Sequence, residues 1–264
     1  MSQISSIFKS QKKALIPYIT FGDPNPEFSL NLARALFDAG ADIIEIGIPF
    51  SDPIADGPVI QASHSRALQQ PSEVSIQAAL HAVSVLKKEY PHKAIAFMLA
   101  TNLVMHYGVE AFMRDSAKQG LDAVVIPDLS FEMSENYVRL AEKSGIDLVQ
   151  LISPLCDEER LVSIAKASRG FLYLISSTGI TGERQAFSQS LKQLCDTIRS
   201  VSDIPIAIGF GISSEEHVKE MSQFADALIV GSHLVSLIES HLDQPNKALA
   251  AMSDRVALFK SCLQ

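Results

Sequence analysis

Two acidic side chains in the segment IEIGIPFSDPIADGPVI, residues 44–60, have the type and setting of acid–base groups. Glu45 stands in an almost wholly apolar run, where a carboxylate is costly to bury unless it is paired or protonated. Asp56 follows eleven residues later, in a loop punctuated by Pro and Gly. Glu45 is therefore either a paired structural charge or an acid–base group. Asp56 either acts on a ligand or bonds its own backbone, as Asp before Gly often does.

Glycines in the last third of the chain form a candidate phosphate site. AIGFGISSEEHV carries Gly209 and Gly211, and LIVGSHLVSLIES places Gly231 and Ser232 where a helix would begin. Free N–H groups and the positive end of the helix dipole favour an anion at such a place. The segment TGITGE would close over the same place. Plain turn glycines are the alternative, but the agreement of three successive loops favours the phosphate site.

Eight short apolar runs, each followed by a stretch of helical periodicity, predict the elements that position these groups. Runs that are apolar throughout are typical of parallel strands buried on both faces. Eight units in about 250 residues predict a (β/α)8 barrel of the α/β class, one domain over 1–264, with a short helix before the first strand. A doubly wound sheet is the main alternative, but its GxGxxG fingerprint is absent. The runs are 14–20, 42–48, 94–100, 122–128, 147–153, 170–176, 204–210 and 226–232.

In such a barrel, catalytic groups stand at the C-terminal ends of the strands. Strand periodicity places Glu45 on the face opposite Ile44 and Ile46, so it would point into the barrel and have a pKa above the usual value of about 4.3. No Lys or Arg falls at a strand end to pair with it, which favours an acid–base role. The lack of a strand-end Lys also argues against a Schiff base, and the lack of a His cluster argues against a metal-assisted mechanism.

Composition narrows the class of protein further. A net charge of −8 without any cluster of Lys and Arg argues against nucleic-acid binding. The apolar runs are far shorter than the roughly 20 residues of a membrane helix, and no signal peptide is expected. Three widely spaced cysteines fit neither a disulfide framework nor a zinc site. We therefore expect a cytoplasmic protein that binds no metal.

The segment IEIGIPFSDPIADGPVIQ closely resembles the signature of tryptophan synthase α subunits. IPYITFGDP, VVIPDL, YLISSTGITGE, IGFGIS and VGSHLV resemble that family in order and spacing, from Ile16 to about Ile238. The resemblance implies a (β/α)8 lyase of L-tryptophan biosynthesis that cleaves indole-3-glycerol phosphate to indole and glyceraldehyde 3-phosphate. By the same resemblance, Glu45 and Asp56 fall on the two catalytic carboxylates.

Further site residues are implied by the resemblance alone. It places Tyr173 near the glycerol chain and Glu45, with aromatic packing as the alternative role. Residues implied to contact the substrate are Tyr18, Thr181, Gly182, Gly211, Gly231 and Ser232. The partner implied is a β subunit that carries pyridoxal phosphate in an αββα complex, and this chain would bind no cofactor itself. The loop around Asp52 and Pro53 and the segment after the third strand would face that subunit.

Two segments depart from the family pattern. Ala100 and Thr101 stand where the family commonly has tyrosines, and Ser130 stands where a proline is usual. The departures concern the wall of the indole pocket and the partner-facing surface. The alternatives to a coupled α subunit are a stand-alone lyase that releases indole, a barrel without catalysis that acts as a scaffold or allosteric subunit, and a different phosphate-binding barrel.

Overall fold

A computed structural model describes residues 2–10, 13–54, 56–69, 73–175, 184–209 and 211–263, with the backbone alone over 184–189. Eight parallel strands form a closed barrel in sequence order, because each strand pairs with the next and β8 pairs with β1. The predicted (β/α)8 fold is confirmed. The strands are β1 Ala14–Thr20, β2 Ile43–Gly47, β3 Ala94–Met98, β4 Ala123–Val125, β5 Asp147–Ile152, β6 Leu172–Ile175, β7 Ile206–Gly209 and β8 Ala227–Val230.

The observed strands lie within the apolar runs but are mostly shorter. The run 122–128 forms only the three residues of β4, Ala123–Val125. Pro127 follows two residues after that strand, and proline has no N–H to donate to a sheet ladder. The predicted runs therefore located the strands correctly but extended into the loops that follow them.

Twelve α-helices and a short 3-10 helix surround the barrel within the described residues. The helix before β1 is confirmed as α1. Four helices begin at a side-chain cap from Asn25, Ser75, Asp157 or Ser214. The helices are α1 Gln3–Ser10, α2 Pro26–Asp38, α3 Pro58–Ala67, α4 Ile76–Glu89, α5 Thr101–Tyr107, α6 Val109–Gln119, α7 Glu135–Ser144, α8 Glu158–Ala167, α9 Arg184–Val201, α10 Glu215–Met221, α11 Ser232–Glu239 and α12 Pro245–Ser261, and the 3-10 helix is Phe131–Met133.

The two faces of each strand enter two different packed layers. On β2, Ile44 and Ile46 belong to the large layer between strands and helices, whereas Ile43 belongs to the barrel interior. Alanines contribute much of that interior, from Ala14 on β1 to Ala227 on β8. Ile4 and Ile7 of α1 pack into the same interior cluster. Because α1 precedes β1, it packs at the N-terminal ends of the strands, which leaves the C-terminal ends for the loops.

Among the described helices, none combines the length and the apolar character that crossing a membrane requires.

Candidate active site

A cavity of about 320 Å³ opens at the C-terminal ends of the strands. The structure brings seven of the nine site residues predicted from the sequence to this one cavity. Thr181 and Gly182 lie outside the described residues. The seven that line the cavity are Tyr18, Glu45, Asp56, Tyr173, Gly211, Gly231 and Ser232. Their catalytic and binding roles stay predictions.

Glu45 lies deep in the cavity wall, in register with Tyr18 on β1 and Ala96 on β3. It is 1% exposed, and neither carboxyl oxygen has a hydrogen-bond partner among the described residues. Desolvation, with a smaller contribution from the charge of Asp56, raises the pKa of Glu45 to about 8. Glu45 is therefore mostly protonated at neutral pH, and a paired structural charge is not what the structure shows.

Asp56 lies near the end of the loop that joins β2 to α3. Its N–H donates to the carbonyl of Pro53, at 3.1 Å, and its own carbonyl accepts from the Gln61 amide, at 2.8 Å. Among the described residues, its carboxylate accepts no backbone N–H, so the turn-aspartate alternative has no support. Partial burial raises its pKa to about 6, so Asp56 is mostly ionised at pH 7. One cavity thus holds a protonated carboxyl and an ionised one.

Two tyrosines complete the inner wall, each beside a glycine of the next strand. A Cβ on Gly47 of β2 would overlap the Tyr18 hydroxyl, and one on Gly209 of β7 would stand 2.5 Å from the Tyr173 ring. The missing side chains therefore make the space that these rings occupy. Burial raises the pKa of both hydroxyls, so both tyrosines stay neutral.

The opposite end of the cavity is formed by backbone and small polar side chains. Gly211 has φ of +78° and Gly231 stands before the first residue of α11. Ser213, Ser232 and Ser236 also line this end. None of the described lining residues is Lys or Arg, so an anion here would depend on N–H and hydroxyl donors and on the helix dipole.

A second cavity of about 120 Å³ adjoins the first and shares Tyr18, Asp56 and Met98 with it. Ala100, one of the departures from the family pattern, lines this second cavity. Thr101, a second departure, begins α5 and donates to Asp128 from both its N–H and its hydroxyl, at 2.8 and 2.9 Å. Ala100 thus lines the side pocket and Thr101 binds Asp128, which lines it too, so neither forms the wall that holds Glu45.

His64 is a buried residue of the site that the sequence did not single out. It lies on α3, where Ile60, Ser63, His64 and Ala67 form the buried face. Its Nδ1 is 3.1 Å from the Phe50 N–H, and its Nε2 is 3.2 Å from the Tyr18 hydroxyl. Its spacing on the buried face of a helix that starts at Pro58 is the signal that could have found it.

Metal binding finds no support in the part of the chain that is described. No group of three or more His, Cys, Asp or Glu side chains there could hold a metal ion.

The comparisons with known proteins agree with this geometry. The sequence profile of the family "Tryptophan synthase alpha chain" matches residues 4–263. The tryptophan synthase alpha chain of Petrotoga mobilis is 39% identical over 249 residues, 94% of this chain and 95% of that protein. That of Thermosynechococcus vestitus is 41% identical over 254 residues, 96% of this chain and 93% of the relative.

Solved structures give the same result. The tryptophan synthase subunit alpha of Legionella pneumophila superposes with a TM-score of 0.90 at 30% identity, covering 100% of this chain and 98% of that one. A chain of tryptophan synthase from M. tuberculosis in an aminoacrylate-bound form gives a TM-score of 0.84 at 31% identity, covering 98% and 99%. The chain belongs to the tryptophan synthase alpha chain family, whose members are lyases that cleave indole-3-glycerol phosphate in tryptophan biosynthesis.

Proposed function

We propose that this chain cleaves indole-3-glycerol phosphate to indole and glyceraldehyde 3-phosphate, with Glu45 and Asp56 as its catalytic carboxyls. The observation that carries the proposal is the pair of protonation states in one cavity. Glu45 has a proton to give near neutral pH, since its pKa is about 8, while Asp56, with a pKa of about 6, can accept a hydrogen bond as an anion.

The chemistry needs both states. Glu45 donates its proton to C3 of the indole ring, and Asp56 accepts the ring N–H and stabilises the cation that develops on the ring. The Glu45 carboxylate then removes the proton from the glycerol hydroxyl beside C3. The C–C bond breaks, its electron pair returns to the ring, and the aldehyde and indole are released. Glu45 gives one proton and regains one, so the cycle closes without a metal or a Schiff base.

The remaining predicted residues bind and orient the substrate in this proposal. Gly211, Gly231 and Ser232 would receive the phosphate at the N-terminus of α11. Thr181 and Gly182 would contribute from the segment before α9. Tyr173 would stand beside the glycerol chain and Glu45, and Tyr18 beside the indole ring.

A β subunit is the partner that we propose, in an αββα complex to which indole is passed. The family normally pairs with such a subunit. Support from this chain comes from exposed apolar side chains that follow four consecutive strands, β2 to β5, and so rim one side of the barrel mouth. They are Ile54, Met105, Met133 and Leu155. Free Cys156, Cys195 and Cys262 fit a reducing compartment, and we place the protein in the cytoplasm.

Indole release from indole-3-glycerol phosphate tests the proposal, with and without added β subunit. We expect slow release by the chain alone and faster release with the β subunit. Glu45→Gln keeps the volume but cannot cycle a proton, so it should lower the rate by about 10²- to 10⁴-fold. Fast release without a partner would identify a stand-alone lyase. No release in either setting would contradict the proposed reaction.

A further inference from the structure

The His64 imidazole connects the two sides of the indole end of the site. It is 5% exposed and lies on α3, below the loop that carries Phe50 and Asp56. Its Nε2 is 3.2 Å from the Tyr18 hydroxyl of β1 and 3.8 Å from Oδ2 of Asp56. His64 lines the smaller cavity and does not line the larger one, so it reaches the reaction only through its neighbours.

A backbone hydrogen bond from Phe50 fixes which ring nitrogen of His64 carries the proton. The Phe50 N–H donates to Nδ1 at 3.1 Å, so Nδ1 must carry a lone pair. Burial lowers the pKa of His64, which keeps the ring neutral near pH 7. A neutral imidazole whose Nδ1 is an acceptor has its single proton on Nε2. The contact with Asp56 is therefore not an ion pair at that pH.

The neighbouring hydroxyls agree with Nε2 as a donor to Tyr18. Ser63 donates to the carbonyl of Ile60 at 2.7 Å, so its oxygen accepts from Thr20 at 2.6 Å. The Thr20 proton therefore goes to Ser63, at 2.6 Å, and not to the Tyr18 hydroxyl, which lies 3.5 Å away. The Tyr18 oxygen can then accept from Nε2 and keep its own proton to donate elsewhere.

We propose that His64 is a positioning residue for Asp56: its Nε2–H holds the Tyr18 hydroxyl in the empty site and donates to the Asp56 carboxylate when substrate is bound. This inference rests on the proposed lyase reaction. The contact of 3.8 Å would need to shorten by about one ångström, as catalytic contacts do when a site is loaded. A neutral donor fits the chemistry because it orients and stabilises the Asp56 anion without adding a positive charge beside the ring cation.

Few other described groups can donate a hydrogen bond to the Asp56 carboxylate. Apart from His64, the donors among the titratable groups that face it are tyrosine hydroxyls and the protonated Glu45, whose proton goes to the indole ring in the proposed reaction. The facing aspartates would repel its charge. The facing groups are Tyr18 of β1, Glu45 of β2, Tyr173 of β6, and Asp52 and Asp128, which line the smaller cavity with it.

Two substitutions of His64 separate the roles of its two ring nitrogens, because each keeps one hydrogen bond and loses the other. In His64→Asn, the amide oxygen can still accept the Phe50 N–H, but the donor to Asp56 is too short. In His64→Gln, the longer amide can place an N–H near the Nε2 position, but the backbone bond is lost. We expect the Asn variant to lose about 10- to 100-fold in kcat with KM little changed. The acidic limb of its pH–rate profile should move to higher pH, because Asp56 loses a donor to its anion. The Gln variant should recover most of the loss in kcat and most of the shift in the acidic limb.

Controls separate positioning from folding. His81→Asn, on the exposed face of α4, should change neither kcat nor the acidic limb. Binding of glycerol 3-phosphate, which probes the other end of the cavity, should be the same in every variant. Equal losses of kcat in the Asn and Gln variants, with the acidic limb unmoved, would mean that His64 only packs in the core and would overturn the proposal.

A readout without turnover separates this inference from the proposed reaction. In the ¹⁵N-histidine spectrum, the signal lost in His64→Asn should show a neutral ring protonated at Nε2 between pH 6 and 8. A non-cleavable indole-alkyl phosphate should shift that signal in wild type. A ring protonated at Nδ1, or charged at pH 7, would overturn the assignment even in an active enzyme. If wild type releases no indole, the reaction fails, and the spectrum with the analogue still decides the position of the His64 proton and its response to ligand.

Discussion

Glu45 shows how one buried side chain can be unfavourable for folding and useful for chemistry. Its two oxygens have no hydrogen-bond partner in the part of the chain that the structure describes, and its neighbours in the strand ladder, Tyr18 and Ala96, are aromatic and apolar. The folded protein therefore keeps the carboxyl protonated, which gives it an acid near neutral pH. The same burial that supplies the acid should cost stability as the pH rises.

Glu45→Gln should stabilise the protein, and the gain should grow with pH. The unfolded carboxyl ionises near its ordinary pKa of about 4.3, whereas the folded one ionises near 8. Between these values the folded state holds a proton that the unfolded state has lost. The free energy of unfolding of wild type must therefore fall through this window. At about 1.4 kcal/mol for each pKa unit, the difference should reach several kcal/mol by pH 8.

Urea titrations of wild type and Glu45→Gln from pH 5 to pH 8.5 would measure this difference in the free energy of unfolding. Glu220→Gln, at an exposed position of α10, is the matched control and should show no gain that grows with pH. A constant difference between wild type and Glu45→Gln across this range would mean that Glu45 is ionised in the folded protein.

The residue scale also shows which parts of the site can be predicted from sequence. Glu45 is predictable because period-two alternation gives its face and its apolar neighbours give its burial. His64 is not, because its helical spacing from Ile60 and Ala67 indicates burial alone and not a role in the site. Its role depends on contacts with β1 and with the loop after β2, which only the folded chain brings together.

At the scale of elements, neighbouring strands shape the site through paired small and large residues. Tyr18 and Tyr173 extend over Gly47 and Gly209 of the strands beside them. Both glycines lie at the last residue of their strands, where the barrel opens into the cavity. The registers β1 with β2 and β6 with β7 therefore fix where the two rings stand.

Gly209→Ala should displace the Tyr173 ring and impair catalysis while the barrel still folds. The new Cβ would stand 2.5 to 2.8 Å from three atoms of that side chain, closer than any real contact. We expect a stability loss of about 1–3 kcal/mol from overpacking, measured by thermal unfolding. The kcat/KM for indole release should fall by about tenfold or more, since misplacement of about 1 Å in a site is costly.

Tyr173→Leu provides the control for this substitution, because it removes the ring atoms that the new Cβ would meet. In the Tyr173→Leu background, Gly209→Ala should lower the free energy of unfolding far less than it does in wild type. Additive losses in the double variant would mean that the glycine is needed for its backbone and not for the ring.

Elements differ in how well the sequence predicts them. Continuous apolar runs are long enough to locate all eight strands, whereas eight strand–helix units do not include α3 and α5, because two helices follow β2 and two follow β3. Both are short, of ten and seven residues, and α3 begins at Pro58 within a stretch rich in Pro and Gly. Proline at the first position of a helix is favourable, but from sequence it is easily taken for a turn.

At the scale of the whole molecule, the barrel has one closed end and one end for chemistry. Ile4 and Ile7 of α1 pack into the interior from the N-terminal side, and the cavity opens at the C-terminal side. Around that mouth, the exposed apolar side chains that the structure describes follow β2 to β5. Apolar groups gathered at one rim are typical of a protein interface. The sequence predicted a partner only through the family resemblance, because the exposure of these residues depends on the closed barrel.

Leu155→Asp should weaken the proposed coupling to the β subunit and leave the basal reaction intact. Leu155 is 93% exposed in the loop after β5 and lines neither cavity, so its charge should disturb docking and not the site. Burial of a charge in an apolar contact is unfavourable, and we expect about tenfold weaker binding of the β subunit, measured by calorimetry, with stimulation of indole release reduced in proportion. Leu242→Asp, at a leucine that is 41% exposed after α11, is the matched control away from this rim and should leave both quantities unchanged. Equal effects at Leu155 and Leu242, or none at Leu155, would place the partner on another face of the barrel.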